Sequence, residues 1–263
     1  MNGSETFPDF DPTLSPGDTM FAGGEHYVAT GRSALHNVRV ALRAAERPAP
    51  RRILDLPCGH GRVLRHLRAE FPDAEIVAGD LDVNGVEFCA ERFGAIPAIS
   101  APEPERVRLP SSFDLIFCGS LLTHLPKALC ARWLLRFEDL LAPGGLLLLT
   151  THGRMTRHYI ASRAFDFGLG EAGEQRVLRG YDTEGFGYAD YPNRTDYGIS
   201  LMHPAWLVRE VTDRERLRVA YFAEAAWLRH QDVLACTPLR EPEDSARVPP
   251  PEHAAQTPPS LAS

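Results

Sequence analysis

Apolar positions along this chain follow two rhythms that take turns. Short apolar runs closed by an acid, a glycine or a polar residue have the length of buried strands: Ile53 and Leu54 before Asp55, Glu75 to Gly79 before Asp80, a weaker run from Ile96 to Ser100, Phe113 to Cys118, and Leu146 to Thr150. Between them the spacing becomes that of helices with one buried face. Val28, Leu35, Val38, Ala41 and Leu42 mark a helix over 26–45, and Val63, Leu64 and Leu67 a second; residues 83–93 form a third, and Leu129, Trp133, Leu134, Phe137 and Leu140 mark a fourth over 127–141. Phe113 to Cys118 is apolar on both faces apart from Asp114, as a parallel strand covered on both sides requires. The alternation predicts an α/β fold, a right-handed, doubly wound sheet that binds ligands outside the carboxyl ends of its strands.

The rhythm breaks in three places. Residues 1–22 carry Pro, Gly, Asp and Ser without periodicity and predict a loosely attached arm ahead of one domain over 23–237. Residues 153 to about 200 are expected to be helical only in their first part. Beyond that, GYDTEGFGYADYPNRTDYG sets Tyr181, Tyr188, Tyr191 and Tyr197 among glycines and aspartates. A long, weakly regular, aromatic-rich stretch inside a domain predicts a substrate-covering insertion. The chain is then expected to return to the sheet through Ile199 to Met202, followed by a helix from Pro204 to Val211 and strands at Leu217 to Ala223 and Asp232 to Cys236. From Pro238 onward, seven prolines in 26 residues predict a disordered tail over 238–263.

The densest chemistry lies in RRILDLPCGHGRVLRHL, residues 51–67, where a strand ends in Asp55 and turns through Gly59 and Gly61 into a helix. Glycines at such a turn let a ligand reach the backbone. Asp80, 25 residues after Asp55, closes the second strand, where an acid can accept both hydroxyls of a ribose. The third small residue that a dinucleotide loop needs is here Leu64, and Asp55 would repel a pyrophosphate but hold an ammonium group. The expected cofactor is therefore a nucleoside that carries positive charge.

DLPCGHG, then GDLD at 79–82, FDLIFCGSLLTHL at 113–125 and LAPGGLLLLTTHG at 141–153 resemble, in order and spacing, the motifs of class I S-adenosylmethionine-dependent methyltransferases. The resemblance is close over about 50–153. It implies a Rossmann-like doubly wound sheet of seven strands, mostly parallel with an antiparallel last strand. It also implies S-adenosyl-L-methionine as cofactor, with Asp55, Gly59 and Gly61 at the methionine end, Asp80 at the ribose, and Gly119 with Ser120 beside the sulfonium. Tyr27 or Arg32, from the helix that covers the cofactor in such enzymes, and Leu81 complete the expected set. Pro57, where many relatives carry a small residue or glycine, joins it as a departure that stiffens the loop.

Methyl transfer to a hydroxyl needs alignment and removal of a proton. His124, His152 and His230 fall at the carboxyl ends of the strands and are the candidate bases, with His203 a weaker fourth. Tyr181, Tyr188, Tyr191, Tyr197 and Trp227 are the expected substrate contacts, because tyrosine and tryptophan offer flat apolar faces with a polar handle. They suit a small polar acceptor such as a sugar, a phenol or a glycosylated metabolite, methylated at oxygen rather than nitrogen. Spacings that would ligate a metal are missing, and no metal is expected. Net charge −7 with a pI near 5.8 argues against a nucleic-acid partner. The five cysteines form no CxxC pair, no apolar run reaches membrane-spanning length, and a cytoplasmic location is expected. Oligomeric state is not written in these residues. An NAD(P)-dependent oxidoreductase and a noncatalytic methyltransferase-like scaffold are the rival readings.

Overall fold

The computed structural model describes residues 5–21, 23–110 and 112–239. After α1 (Gly24–Ala44) the chain alternates β1 (Arg52–Asp55), α2 (Leu64–Glu70), β2 (Glu75–Asp80), α3 (Val83–Phe93), β3 (Ile96–Ile99), β4 (Phe113–Cys118), α4 (Lys127–Leu140) and β5 (Leu141–Thr151). It continues with α5 (Arg154–Ala161), α6 (Gly170–Glu184), β6 (Phe186–Asp190), β7 (Gly198–Met202), α7 (Pro204–Thr212), β8 (Leu217–Trp227) and β9 (Gln231–Pro238).

Seven strands form one sheet in the order β3-β2-β1-β4-β5-β9-β8, with only β9 antiparallel to its neighbours. The expected sheet is therefore present, its last strand inserted between β5 and β8. Strand order reverses at β1 and β4, so the ends of these two strands open the crevice in which ligands of doubly wound sheets bind. One face of the sheet packs Ile53, Leu115 and Leu148 against α1, α2 and α3; the other packs Leu54, Ile116 and Leu149 against α4 and α7. Burial on both faces explains why these strands read as unbroken apolar runs. All five cysteines are buried and unpaired.

Two expectations give way here. Gly198–Met202 does not return to the main sheet: it pairs antiparallel with β6 in a separate two-stranded sheet, with Gly187 against Leu201 and Ala189 against Ile199. Nor is the insertion weakly regular. Its helices α5 and α6 and this hairpin share a core of their own, made by Ile160, Val177, Tyr181, Ala189, Ile199 and Leu201.

The N-terminal arm, expected to be loose, lies as a strap over α1 and α2. Arg65, only 2% exposed, donates from Nη1 to the carbonyls of Thr13 (2.9 Å) and Asp11 (3.2 Å), and its guanidinium sits 5.1 Å from the ring centres of both Tyr27 and Phe93. Tyr27 in turn donates to Asp18 (2.6 Å). A buried cation satisfied by carbonyls and ring faces needs the strap in place, since those carbonyls are the strap's backbone. The predicted disordered tail falls, from residue 240 on, outside the described residues.

Gly31 sets the distance between α1 and α2. A Cβ there would strike the ring of the fully buried His66 and lie 2.6 Å from the Arg62 carbonyl oxygen. Replacing a helical glycine by alanine ordinarily stabilises by about 0.5–1 kcal/mol. For Gly31→Ala we expect the opposite sign, a loss of roughly 1–3 kcal/mol by overpacking, measured as a lower midpoint in urea unfolding.

Candidate functional site

The tips of β1, β2 and β4 carry the residues that the sequence singles out. Asp55 closes β1 with its carboxylate 1% exposed, and neither oxygen has a hydrogen-bond partner. Burial, aided by the nearby Asp80 charge, raises its pKa well above the usual carboxylate range. An unpartnered buried carboxylate is a place for a cation. Gly59, at φ 50°, has open space where a Cβ would stand, so its backbone is free to meet a ligand.

Asp80 is held at the end of β2: Oδ2 accepts the Gly59 amide (2.7 Å) and Oδ1 that of Asp82 (3.0 Å). Lone pairs remain on both oxygens for a ligand's hydroxyls. Leu81, 59% exposed, stands beside it as an uncovered apolar surface. Pro57 is half-buried in the same loop. These residues fit a nucleoside that ends in an ammonium group, with Asp55 for the cation and Asp80 for the ribose. Gly61 and Gly119 are closely packed. A Cβ on Gly61 would meet Phe93 at 2.5 Å, and one on Gly119 would meet Phe117 at 2.6 Å, so both are glycine for close packing. Tyr27 is 2% exposed, and its hydroxyl is engaged by the strap and by Arg65.

Ser120, at φ 61°, is pinned by a closed ring of hydrogen bonds. Its amide donates to Thr150 Oγ1 (2.9 Å), Thr150 donates to Gln231 Oε1 (2.5 Å), and Gln231 Nε2 donates to Ser120 Oγ (2.5 Å). A non-glycine residue in the left-handed region persists where its surroundings fix it, as they do here. The turn between β8 and β9 stores strain of the same kind. Leu228 and Arg229 have φ 53° and 57°, and the His230 amide closes the turn on the Trp227 carbonyl. Asn and Gly usually occupy such positions.

Ser120 and this turn face a cavity of about 360 Å³, whose lining includes Thr30, Arg62, Trp227, Arg229, His230 and Gln231. A larger hollow of about 910 Å³, between Arg47, Phe71 and Asp114, lies at the amino ends of the strands, away from these groups.

The three candidate histidines come together in one array. His230 Nε2 lies 3.2 Å from His152 Nε2, and the rings of His152 and His124 are 6.4 Å apart. Burial lowers the pKa of all three, that of the fully enclosed His152 most, so they are neutral near pH 7. Only His230 lines the cavity, with His152 hydrogen-bonded behind it.

Tyr197 stacks on His124 (ring centres 5.1 Å apart), and the Tyr191 hydroxyl reaches His124 Nδ1 at 3.3 Å. Tyr188 donates to Asp190 (2.5 Å), while Tyr181 is 6% exposed inside the insertion's own core, not facing a ligand. Trp227 donates to the Thr30 carbonyl (3.0 Å) and forms a cavity wall. His203 lies apart, accepting the Ala205 amide at the start of α7. Thr150 and Arg62 were not anticipated. Arg62 directly follows Gly61, and that adjacency was the signal available. Among the described residues, no group of three or more His, Cys, Asp or Glu is placed to hold a metal ion.

Residues 54–147 match a family described as methyltransferase domain. The chain is 36% identical over 103 residues to a trans-aconitate 2-methyltransferase of Methylobacterium radiotolerans, covering 38% of this chain and 37% of that protein. It is 26% identical over 208 residues to a malonyl-[acyl-carrier protein] O-methyltransferase of Halalkalibacterium halodurans, covering 76% and 72%. An S-adenosylmethionine-dependent methyltransferase from Clostridium acetobutylicum has a similar structure, with TM-score 0.56 at 12% identity over 79% of this chain and 91% of that one. The chain carries a methyltransferase domain with the fold of S-adenosylmethionine-dependent methyltransferases. In this methyltransferase domain, the matched segment runs from Leu54 to Leu147 and so contains Asp55, the glycine loop, Asp80 and Ser120, while the histidine array extends beyond it.

Because a cationic ligand favours ionised Asp55, we expect S-adenosylhomocysteine to bind more tightly as pH rises through the raised Asp55 pKa, with release of protons. Calorimetry in buffers of different ionisation enthalpy measures that release. Asp55→Asn should abolish it. The same raised pKa means that Asp55 favours the folded state below the unfolded-state pKa of 3.8 and that this contribution is lost as pH climbs through the folded value. Asp55→Asn is therefore expected to raise the melting temperature at pH 8 by about 2–4 °C per kcal/mol relieved, while weakening the ligand.

Proposed function

We propose that this protein transfers a methyl group from S-adenosylmethionine to an oxygen atom of a small polar acceptor bound between α1, the β8–β9 turn and the insertion. The observation that carries this reading is the lone buried carboxylate of Asp55 beside the open Gly59 backbone, which suits the ammonium end of that cofactor. When bound, the cofactor supplies an electrophilic methyl on a sulfonium. Asp80 holds and orients the ribose, and the fixed Ser120 borders the place where acceptor and methyl are aligned.

For a hydroxyl acceptor such as a sugar or a secondary metabolite, His230 is the base. Its lowered pKa leaves it unprotonated near pH 7, it lines the cavity, and His152 orients its ring. His124, stacked on Tyr197 and bonded to the Gly198 carbonyl, shapes the wall beneath the insertion. A second reading is a carboxylate oxygen as acceptor, which needs no base. The names of the two relatives favour it, since trans-aconitate and a malonyl group both carry carboxylates.

Calorimetric titration with S-adenosylhomocysteine is expected to give micromolar binding, at least about tenfold weaker in Asp80→Ala. No binding by the wild type would remove the assignment. His230→Gln should leave this affinity unchanged and slow transfer to a hydroxyl acceptor roughly 100-fold or more. An undiminished rate, with a product that releases methanol in base, would select the carboxylate reading.

A further inference from the structure

Several arginines of this protein are answered by acids. Arg39 pairs with Glu70 and Glu5, Arg132 with Glu105, Arg157 with Asp182, and Arg214 and Arg216 with Glu138. Arg62 is not. It is half-buried and, among the described residues, makes no ion pair or hydrogen bond. The one carboxylate whose field reaches it, Asp18, is occupied: Oδ2 accepts the Tyr27 hydroxyl and Oδ1 the Met20 amide.

Arg62 also lines the cavity of about 360 Å³ beside Ser120, and the remaining lining adds Arg229, His26 and His230 but no Asp or Glu. In a chain of net charge −7, a cavity with two arginines and no acid is a local reversal of sign. Its volume suits a small molecule, and a guanidinium fork matches a carboxylate in plane and spacing. The backbone holds both arginines in place. Gly31 of α1 packs so close that a Cβ there would lie 2.6 Å from the Arg62 carbonyl oxygen, and Arg229 sits in the left-handed turn that also carries His230.

We infer that this cavity is the acceptor site and that it selects an acceptor bearing a carboxylate, with Arg62 as its inner counter-charge and Arg229 at the mouth. The inference rests on the methyl-transfer reading above and adds the class of acceptor. It holds whether the methylated oxygen belongs to that carboxylate or to a hydroxyl elsewhere on the same molecule.

The test is calorimetric titration of protein saturated with S-adenosylhomocysteine by tricarballylate, malonate and benzoate, each beside its neutral amide, for wild type, Arg62→Gln and Arg62→Lys. Expected is binding of at least one acid and of none of the amides, weakened about tenfold or more in Arg62→Gln, partly kept in Arg62→Lys, and falling with added salt. S-adenosylhomocysteine affinity should stay within about twofold in both variants, which also shows that they fold. Equal binding of the acid by wild type and Arg62→Gln, or binding of no acid by wild type, would overturn the inference. So would an Arg62→Gln protein that loses S-adenosylhomocysteine but keeps 5′-methylthioadenosine, because Arg62 would then hold the cofactor's own carboxylate. Failure of the wild type to bind S-adenosylhomocysteine at all would instead defeat the methyl-transfer reading on which the inference stands.

Discussion

A single carboxylate buried without a partner governs the layout of this protein. Removing an ionised carboxylate from water costs several kcal/mol unless a cation or hydrogen-bond donors replace the solvent, and Asp55 has neither. It has this environment because β1 is central. Strands β2 and β4 flank it in parallel register, Asp55 opposite Ala78 and Phe117, so its side chain emerges at the tip between two filled layers. The nearby Asp80 worsens the imbalance. A fold that tolerates this is poised for a cationic ligand, whose arrival relieves the penalty and turns it into affinity.

The same economy of position appears around Ser120 and the β8–β9 turn. Two non-glycine left-handed segments, one in the loop after β4 and one between β8 and β9, are tied together by the Thr150–Gln231–Ser120 ring. Their mutual bonding fixes one wall of the cavity, while Arg65 ties the strap to α1 and α2.

How much of this was legible follows from which interactions are local. Strand tips, glycine turns and acid spacing are written in contiguous residues, so the seven-stranded sheet and the placement of Asp55 and Asp80 at its strand tips could be read directly. Ile199 to Met202 has the composition of a core strand, and only its partner, β6, reveals a separate hairpin. Tyr181 looked like a ligand contact because tyrosines cluster near it in sequence, yet a helix turns it into the insertion's own core. The strap was misread because its anchors, Arg65, His60 and Tyr27, lie up to 54 residues away. Sequence does not show that Gly61 and Gly119 also lack a Cβ because Phe93 and Phe117 fill that space.

Charge is laid out along the site as a polarity. Asp55 and Asp80 stand at one end, at the tips of β1 and β2; Arg62 and Arg229 line the cavity. In a partly desolvated site such fixed charges act at reduced dielectric, so the field itself sorts ligands by sign: an ammonium group is drawn to the acids and a carboxylate to the arginines. The same cavity is also lined by Ser120 and Gln231 of the neutral hydrogen-bonded ring, and burial lowers the pKa of the histidine array beside it. On the reading proposed above, a cationic reacting centre beside it would meet no protonated imidazole, and a neutral His230 would keep its lone pair for a proton. The low histidine pKa values follow from burial first and, for His152, from the two neighbouring imidazoles, so the same packing that builds the array also keeps it uncharged.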